Sequence, residues 1–266
     1  MTPVEVTQGD SPVILALPHT GTHVPENIRI DLQPEALSLR DTDWHIHTLY
    51  DGLLPGATKV RATFHRYVID ANRSPSDDNL YPGQNTTGLV PLTDFDGRPL
   101  WTKDPGEDSV QARLAEYHQA YHDALRAEIR RVKALHGVAI LYDCHSIRSH
   151  IPHLFEGTLP DFNIGTNDGH SCNEILQDTV HRICNAAPGY STVLNGRFKG
   201  GWTTRHYGRP ESGVHVIQME LAQSTHLVSE AAPFIYDPEK AEPLRGHLAR
   251  ILETLETLAP SLRKPA

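Results

Sequence analysis

Two hydrophobic periods alternate along this chain. Val13–Leu17 is a short unbroken apolar run closed by prolines, the pattern of a strand covered on both faces. Over residues 38–54 the spacing turns helical, with Ile46, Tyr50 and Leu53 recurring on one face. Val60–Phe64 and Tyr67–Ile69 carry β-branched and aromatic residues and predict strand. Residues 74–108 are rich in Pro, Gly, Asp and Asn; a passage so long without a period of its own predicts a binding loop or lid. Gln111–His136 predicts the clearest helix, with Leu114, Tyr117, Tyr121, Leu125, Ile129 and Val132 in one stripe and Gly137 as its stop. Val138–Tyr142 follows as a continuous apolar strand. Ser171 and Glu174 read as a capping box ahead of Ile175, Val180 and Ile183. Val214–Leu221 predicts a further strand, and Leu244–Leu258 a closing amphipathic helix. Strands alternating with helices predict an α/β fold: three αβα layers around a central, mostly parallel mixed sheet. One domain over residues 1–266 is expected, with 74–108 as a loop insertion.

Composition narrows the function. A chain of 266 residues, 38% hydrophobic, can bury one large core. Its net charge of −9 is spread along the sequence, which excludes the basic face that a nucleic-acid backbone requires. Three cysteines at irregular spacing do not form a secreted disulfide framework. No stretch approaches the roughly 20 apolar residues that span a bilayer. The first residues lack a basic segment, and their apolar run is interrupted by Pro18. A cytoplasmic protein without a membrane partner is expected; the oligomeric state is left open. The 17 histidines keep metal chemistry in view.

In open α/β sheets ligands bind beyond the carboxyl ends of the strands, so the residues where apolar runs stop carry the chemistry. VILALPHTG stops at His19, VAILYDCHS at Asp143 and His145, and VHVIQMELA carries Glu220 near its end. A catalytic zinc takes three protein ligands from His and Asp or Glu and leaves a position for water. RDTDWHIHTLYD offers the third: Asp43 shares the face of Ile46, Tyr50 and Leu53, whereas Asp41 lies on the side of His45 and Thr48. Asp43 is the choice, with Asp41 the alternative. Gly21 and Pro25 argue against a helical face that would join His23 to His19.

In combination, several segments carry a resemblance: PHTGTHVP at 18–25, DTDWHIHTLYD at 41–51, RYVIDANR at 66–73 and LYPGQNTTGL at 80–89. DCHSIRS at 143–149, NGRFKGGWTTRHYG at 195–208 and VIQMELAQ at 216–223 extend it over nearly the whole chain. The sequence resembles the N-formylglutamate amidohydrolases, the formylglutamate deformylases of histidine degradation. These are similar to zinc carboxypeptidases, aspartoacylases and muramoyl amidases, which implies a zinc carboxypeptidase or phosphorylase/hydrolase-like sheet with one hydrolytic zinc.

The expected reaction is hydrolysis of N-formyl-L-glutamate. One divalent metal, zinc, would be held by His19, Asp43 and His145, with Glu220 as general base and then acid. Asp143 would orient a metal-bound imidazole from behind. Cys144 points to the opposite face of its strand and is set aside as a nucleophile. A dianionic substrate calls for arginine. Asn72 and Arg73 resemble the Asn-Arg pair that binds substrate carboxylate in aspartoacylase-like proteins, and Arg148 and Arg205 are further candidates. Gly200 and Gly201 would let backbone N–H groups approach an anion. The alternatives are a zinc deacylase of another N-acyl amino acid, a cell-wall-type amidase, or a non-catalytic module binding metal or anions.

Overall fold

The computed structural model describes residues 2–80 and 82–263. Seven strands form one mixed sheet: β1 (Val4–Thr7), β2 (Val13–Leu17), β3 (Thr58–Ala62), β4 (Ala139–Ile147), β5 (Phe162–Gly165), β6 (Thr192–Leu194) and β7 (Val214–Ala222). Their order is β1-β3-β2-β4-β7-β5-β6. The central four, β3-β2-β4-β7, are mutually parallel. β1 runs antiparallel to β3 at one edge, and the parallel pair β5-β6 runs antiparallel to β7 at the other.

The continuous apolar runs are explained by helices on both faces. α1 (Glu26–Arg29), α2 (Ile46–Leu49), α3 (Glu107–Arg113), α4 (Gln119–His136), α5 (Glu174–Asn185), α6 (Trp202–Tyr207) and α7 (Pro238–Leu258) complete the chain. Tyr121, Leu125, Ile129 and Val132 of α4 pack with Ile14, Ala16, Leu141 and Val216 on one face. α2, α5 and α7 pack with Leu15, Leu17, Tyr142 and Met219 on the other. All residues of β2, β4 and β7 are buried, as a sheet covered on both sides demands.

Several expected elements change. The helical spacing over 38–54 yields only α2. Leu39 and His45 both adopt left-handed backbone, with φ 49° and 60°, and Asp43 N donates to His19 O at 3.0 Å instead of to a helical carbonyl. Tyr67–Ile69 is a buried turn, closed by Val68 N donating to His65 O at 2.9 Å; its apolar residues serve the core. The cap of α5 is Asn173, whose side chain accepts from Ile175 N, whereas Ser171 Oγ donates to Val216 O at 2.8 Å. β4 runs on to Ile147, five residues beyond the apolar run.

Other elements match. Gly137 stops α4 in left-handed backbone, φ 72°, its N–H returning to Lys133 O. Residues 74–106 hold no helix or strand among those described; Tyr81, within that passage, lies outside the described residues.

Candidate active site

The carboxyl ends of β2, β4 and β7 bring His19, His145 and Glu220 together. His19 follows β2 by two residues. His145 sits in β4 directly opposite Glu220 of β7. Asp43 arrives from the loop before α2, its backbone tied to His19 O and its Oδ2 accepting from Ser146 N at 3.2 Å. Three donor atoms then converge. His19 Nδ1 is 3.2 Å from His145 Nδ1, and Asp43 Oδ2 is 3.1 Å from the latter and 3.7 Å from the former.

The far sides of both imidazoles meet carboxylates. His19 Nε2 lies 2.7 Å from Asp70 Oδ1; an ionised carboxylate only accepts, so this nitrogen carries the proton and Nδ1 of neutral His19 presents a lone pair. His145 Nε2 lies 3.0 Å from Asp143 Oδ1. Asp143 is fully buried, and its oxygens otherwise lack hydrogen-bond partners among the described residues. A carboxylate in that position is costly unless it serves a cationic or N–H partner, and the imidazole is that partner.

The cluster fits a small divalent ion. With metal–ligand bonds of about 2.0–2.1 Å, the edges of a tetrahedral site are roughly 3.3 Å, close to the three separations above. His19, Asp43 and His145 are all buried and offer one ligand atom each. Asp41 does not join them: its Oδ2 accepts from Tyr67 Oη and Phe95 N, both at 2.9 Å. Burial pushes its carboxyl up to about 6 despite Arg66.

The electrostatics favour positive charge at this point. Burial alone would raise the Asp43 carboxyl, but Arg66, His145 and His19 hold it well below the usual carboxylate range. Arg66 Nη2 donates to Asp43 Oδ1 at 2.8 Å. Asp70, also buried, is held low by His19, Arg73 and Arg66. Burial disfavours the His145 imidazolium, yet Asp143 and Asp43 outweigh it and raise the group well above its ordinary value. Burial, relieved in part by His145, pushes the Glu220 carboxyl up to about 8.

A cleft opens over these groups, lined by His19, His145, Glu220, Arg66, Asn72, Arg73 and Arg197 among others. The arginines divide by partner. Arg66 is engaged by Asp43 and lies 3.9 Å from Asp70. Arg73 donates to Thr87 O, Asn72 O and the Thr86 and Thr87 hydroxyls, and no carboxylate among the described residues lies within ion-pair distance of it. Arg148 and Arg205, expected at the substrate, do not line the cleft. Arg148 is buried against Asp96 Oδ1, 3.1 Å from both terminal nitrogens, because the 74–108 passage folds Asp96 onto it. Arg205 turns back along α6, its Nε donating to Gly200 O at 3.0 Å.

Asn72 is held more firmly than a substrate contact requires. Its Oδ1 accepts from Thr203 N at 2.9 Å, and its Nδ2 lies 3.2 Å from His145 Nε2. A side chain on Gly201 would meet the Asn72 amide at 2.4 Å, so glycine there permits the close approach; Gly201 N–H itself is taken by Gln218 Oε1 at 2.8 Å. From the other side, His122 Nε2 lies 2.8 Å from Ala71 O and His118 Nε2 3.0 Å from Arg73 O. His118 ends a π turn, Leu114–His118, that precedes α4. Cys144 packs in the apolar face below the site, and burial pushes its thiol well up. Arg66, Asp70, Arg197, His118 and His122 were not singled out from sequence. A charged pair inside the apolar run RYVIDANR was the available signal for the first two.

Comparison with known proteins gives the family. The sequence profile described as N-formylglutamate amidohydrolase matches residues 11–227. The N-formylglutamate deformylase of Pseudomonas aeruginosa is 49% identical over 251 residues, 93% of this chain and 94% of that protein. The Pseudomonas putida N-formylglutamate deformylase is 47% identical, covering 93% of each chain. The crystal structure of N-formylglutamate amidohydrolase from Ralstonia eutropha superposes with a TM-score of 0.83 at 24% identity, over 98% of this chain and 99% of that one, a likeness of fold. The chain belongs to the N-formylglutamate amidohydrolase family.

Proposed function

We propose that this chain hydrolyses N-formyl-L-glutamate to L-glutamate and formate with one divalent metal ion, zinc, held by His19, Asp43 and His145. The carrying observation is the convergence of three buried donor atoms at tetrahedral-edge spacing beside Glu220 and an arginine-lined cleft. When bound, such an ion supplies Lewis acidity, acidifying water and polarising a carbonyl. Asp70 and Asp143 orient the two imidazoles, and Arg66 fixes the second oxygen of Asp43. Glu220 takes the proton of the attacking water and delivers it to the amide nitrogen as the C–N bond breaks, so one residue acts as base and then acid. Arg73, with no carboxylate among the described residues within ion-pair distance, supplies positive charge toward the substrate carboxylate from the cleft wall.

The fold reading that accompanies this function is zinc carboxypeptidase-like, supported by the parallel order β3-β2-β4-β7 with ligands at its carboxyl edge. The chain is taken as one amidohydrolase domain with residues 74–108 as its loop insertion. No helix of the described residues is long and apolar enough to cross a membrane. The three unpaired, buried cysteines suit a reducing cytoplasm.

The test is formate release from N-formylglutamate, N-acetylglutamate and N-formylaspartate by protein stripped with a chelator and then resupplied with zinc. Activity on N-formylglutamate should vanish on stripping and return with one equivalent of metal. Full activity without metal, or preference for the acetyl compound, contradicts the reading.

A further inference from the structure

Residues 70–73 make a buried turn: Arg73 N donates to Asp70 O at 3.2 Å, and Asp70 Oδ1 accepts from Asn72 N at 2.8 Å. A turn leaves its later carbonyls outside any helix or strand ladder, and a buried carbonyl needs a donor. The donors come from two helical segments. Ala71 O accepts from His122 Nε2 of α4 at 2.8 Å, and Arg73 O from His118 Nε2, in the π turn ahead of α4, at 3.0 Å. Asn72 O, between them, accepts from Trp202 N of α6 at 3.3 Å and from Arg73 Nη1 at 3.2 Å.

His118 and His122 are four residues apart and share one helix face. Their ring centres lie 4.4 Å apart, and both side chains are buried. Carbonyl oxygens only accept, which puts a proton on Nε2 of each. Burial lowers both imidazoles from their ordinary pKa, so they are neutral, and His122 Nδ1 accepts from Tyr207 Oη at 3.0 Å. Tyr207 ends α6, the helix whose first turn supplies Trp202 N and Thr203 N to Asn72. The Trp202 ring stands edge-on to His122, 4.6 Å between centres. α4 and α6 thus close on the turn from two sides, with Asn72 between them. Elsewhere α4 meets the core with Tyr121, Leu125, Ile129 and Val132. At the turn it carries imidazoles, whose directed N–H bonds fix the backbone where apolar contact would not.

We infer that His118 and His122 are positioning residues of the hydrolytic site: by holding the carbonyls on either side of Asn72, they keep its amide against His145. The inference rests on the proposed hydrolase reading. Neither histidine lines the cleft; their effect on turnover passes through Asn72, whose Nδ2 lies 3.2 Å from His145 Nε2.

The experiment measures zinc content and kcat/KM for N-formylglutamate in folded, zinc-loaded wild type, His118→Leu, His122→Leu, His122→Gln and His122→Asn. Asn72→Ala, alone and combined with His122→Leu, completes a double-mutant cycle. His118→Leu and His122→Leu should keep one zinc per chain and lose about 100-fold in kcat/KM. His122→Gln, whose amide N–H reaches the place of Nε2, should stay within about tenfold of wild type, and the shorter His122→Asn should fall with His122→Leu. In the Asn72→Ala background, His122→Leu should cost less than about threefold more. Losses that multiply in full across the cycle overturn the inference. So does a folded His118→Leu or His122→Leu whose Tm falls while its kcat/KM stays at the wild-type value, the mark of a purely structural role. If the leucine substitutions prevent folding, or Asn72→Ala is too slow to measure, His122→Gln against His122→Asn decides: equal kcat/KM overturns the assignment, and retention in His122→Gln alone supports it. A wild type that releases no formate defeats the hydrolase reading itself, a result distinct from variants that match an active wild type.

Discussion

β4 and β7 lie side by side, and their two faces have different fates. On one, Ile140, Tyr142 and Cys144 of β4 and Ile217, Met219 and Leu221 of β7 form an apolar and thiol stretch that packs against α5 and α7, with Ser146 and His215 at its ends. On the other, Ala139, Leu141, Val214 and Val216 start apolar against α4. That face then changes to Asp143, His145, Gln218 and Glu220. All eighteen residues of the two strands are buried, so burial does not mark the site. The change of residue type along one face marks it. The uniform face supplies stability through area removed from water. The divided face holds charges that are tolerable only because each meets a partner.

The contrast is sharpest at His145. Replacing His145 by alanine should remove a ligand and the partner of Asp143 together; zinc retained after gel filtration should fall below stoichiometric detection, and formate release with it. A smaller effect is expected one layer out. Asp70→Asn weakens the hold on His19 and one neighbour of Arg66, and zinc affinity measured against a chromophoric chelator should drop about 10–100-fold. The uniform face should answer oppositely: Met219→Ala should cost about 2–5 kcal/mol in urea unfolding with kcat/KM retained. Loss of turnover in the folded Met219→Ala protein would erase the distinction between the faces.

A finer difference is in pH dependence. Asp43 and Asp70 have folded pKa values below the ordinary carboxylate value, so the stability they bring is complete above about 4 and is lost as pH falls below it. Glu220 is raised from 4.5 to about 8. Between those values the native chain holds a proton that the unfolded chain releases, so stability falls as pH rises through the window. In metal-free protein, Glu220→Gln should flatten the decline of Tm between pH 5 and 8; an unaltered slope would mean that Glu220 does not carry that proton.

Much of this site was legible in sequence because parallel strands end in a shared edge. His19, His145 and Glu220 follow from where apolar runs stop. Asp43, not Asp41, converges with the two imidazoles, but the helical face that pointed to it does not form; its position comes from Asp43 N bonding to His19 O. Arg66 and Asp70 were hidden because a buried turn has the composition of a strand. Arg148 and Arg205 lie outside the cleft lining and Arg197 within it for one reason. A guanidinium's destination is set by contacts distant in sequence, here with Asp96, Gly200 and Asn85, which no local period encodes. The sheet itself was legible except for β1, β5 and β6, short strands of three or four residues.

The most direct measurement is the zinc content and formate-release rate of Glu220→Gln beside wild type, both stripped and reloaded with one equivalent of metal. The site described here predicts one zinc per chain in both proteins, with turnover of N-formylglutamate reduced about 10²–10⁴-fold in the variant. A variant that holds its zinc and keeps a near-normal kcat would contradict the role of the divided face as the hydrolytic centre.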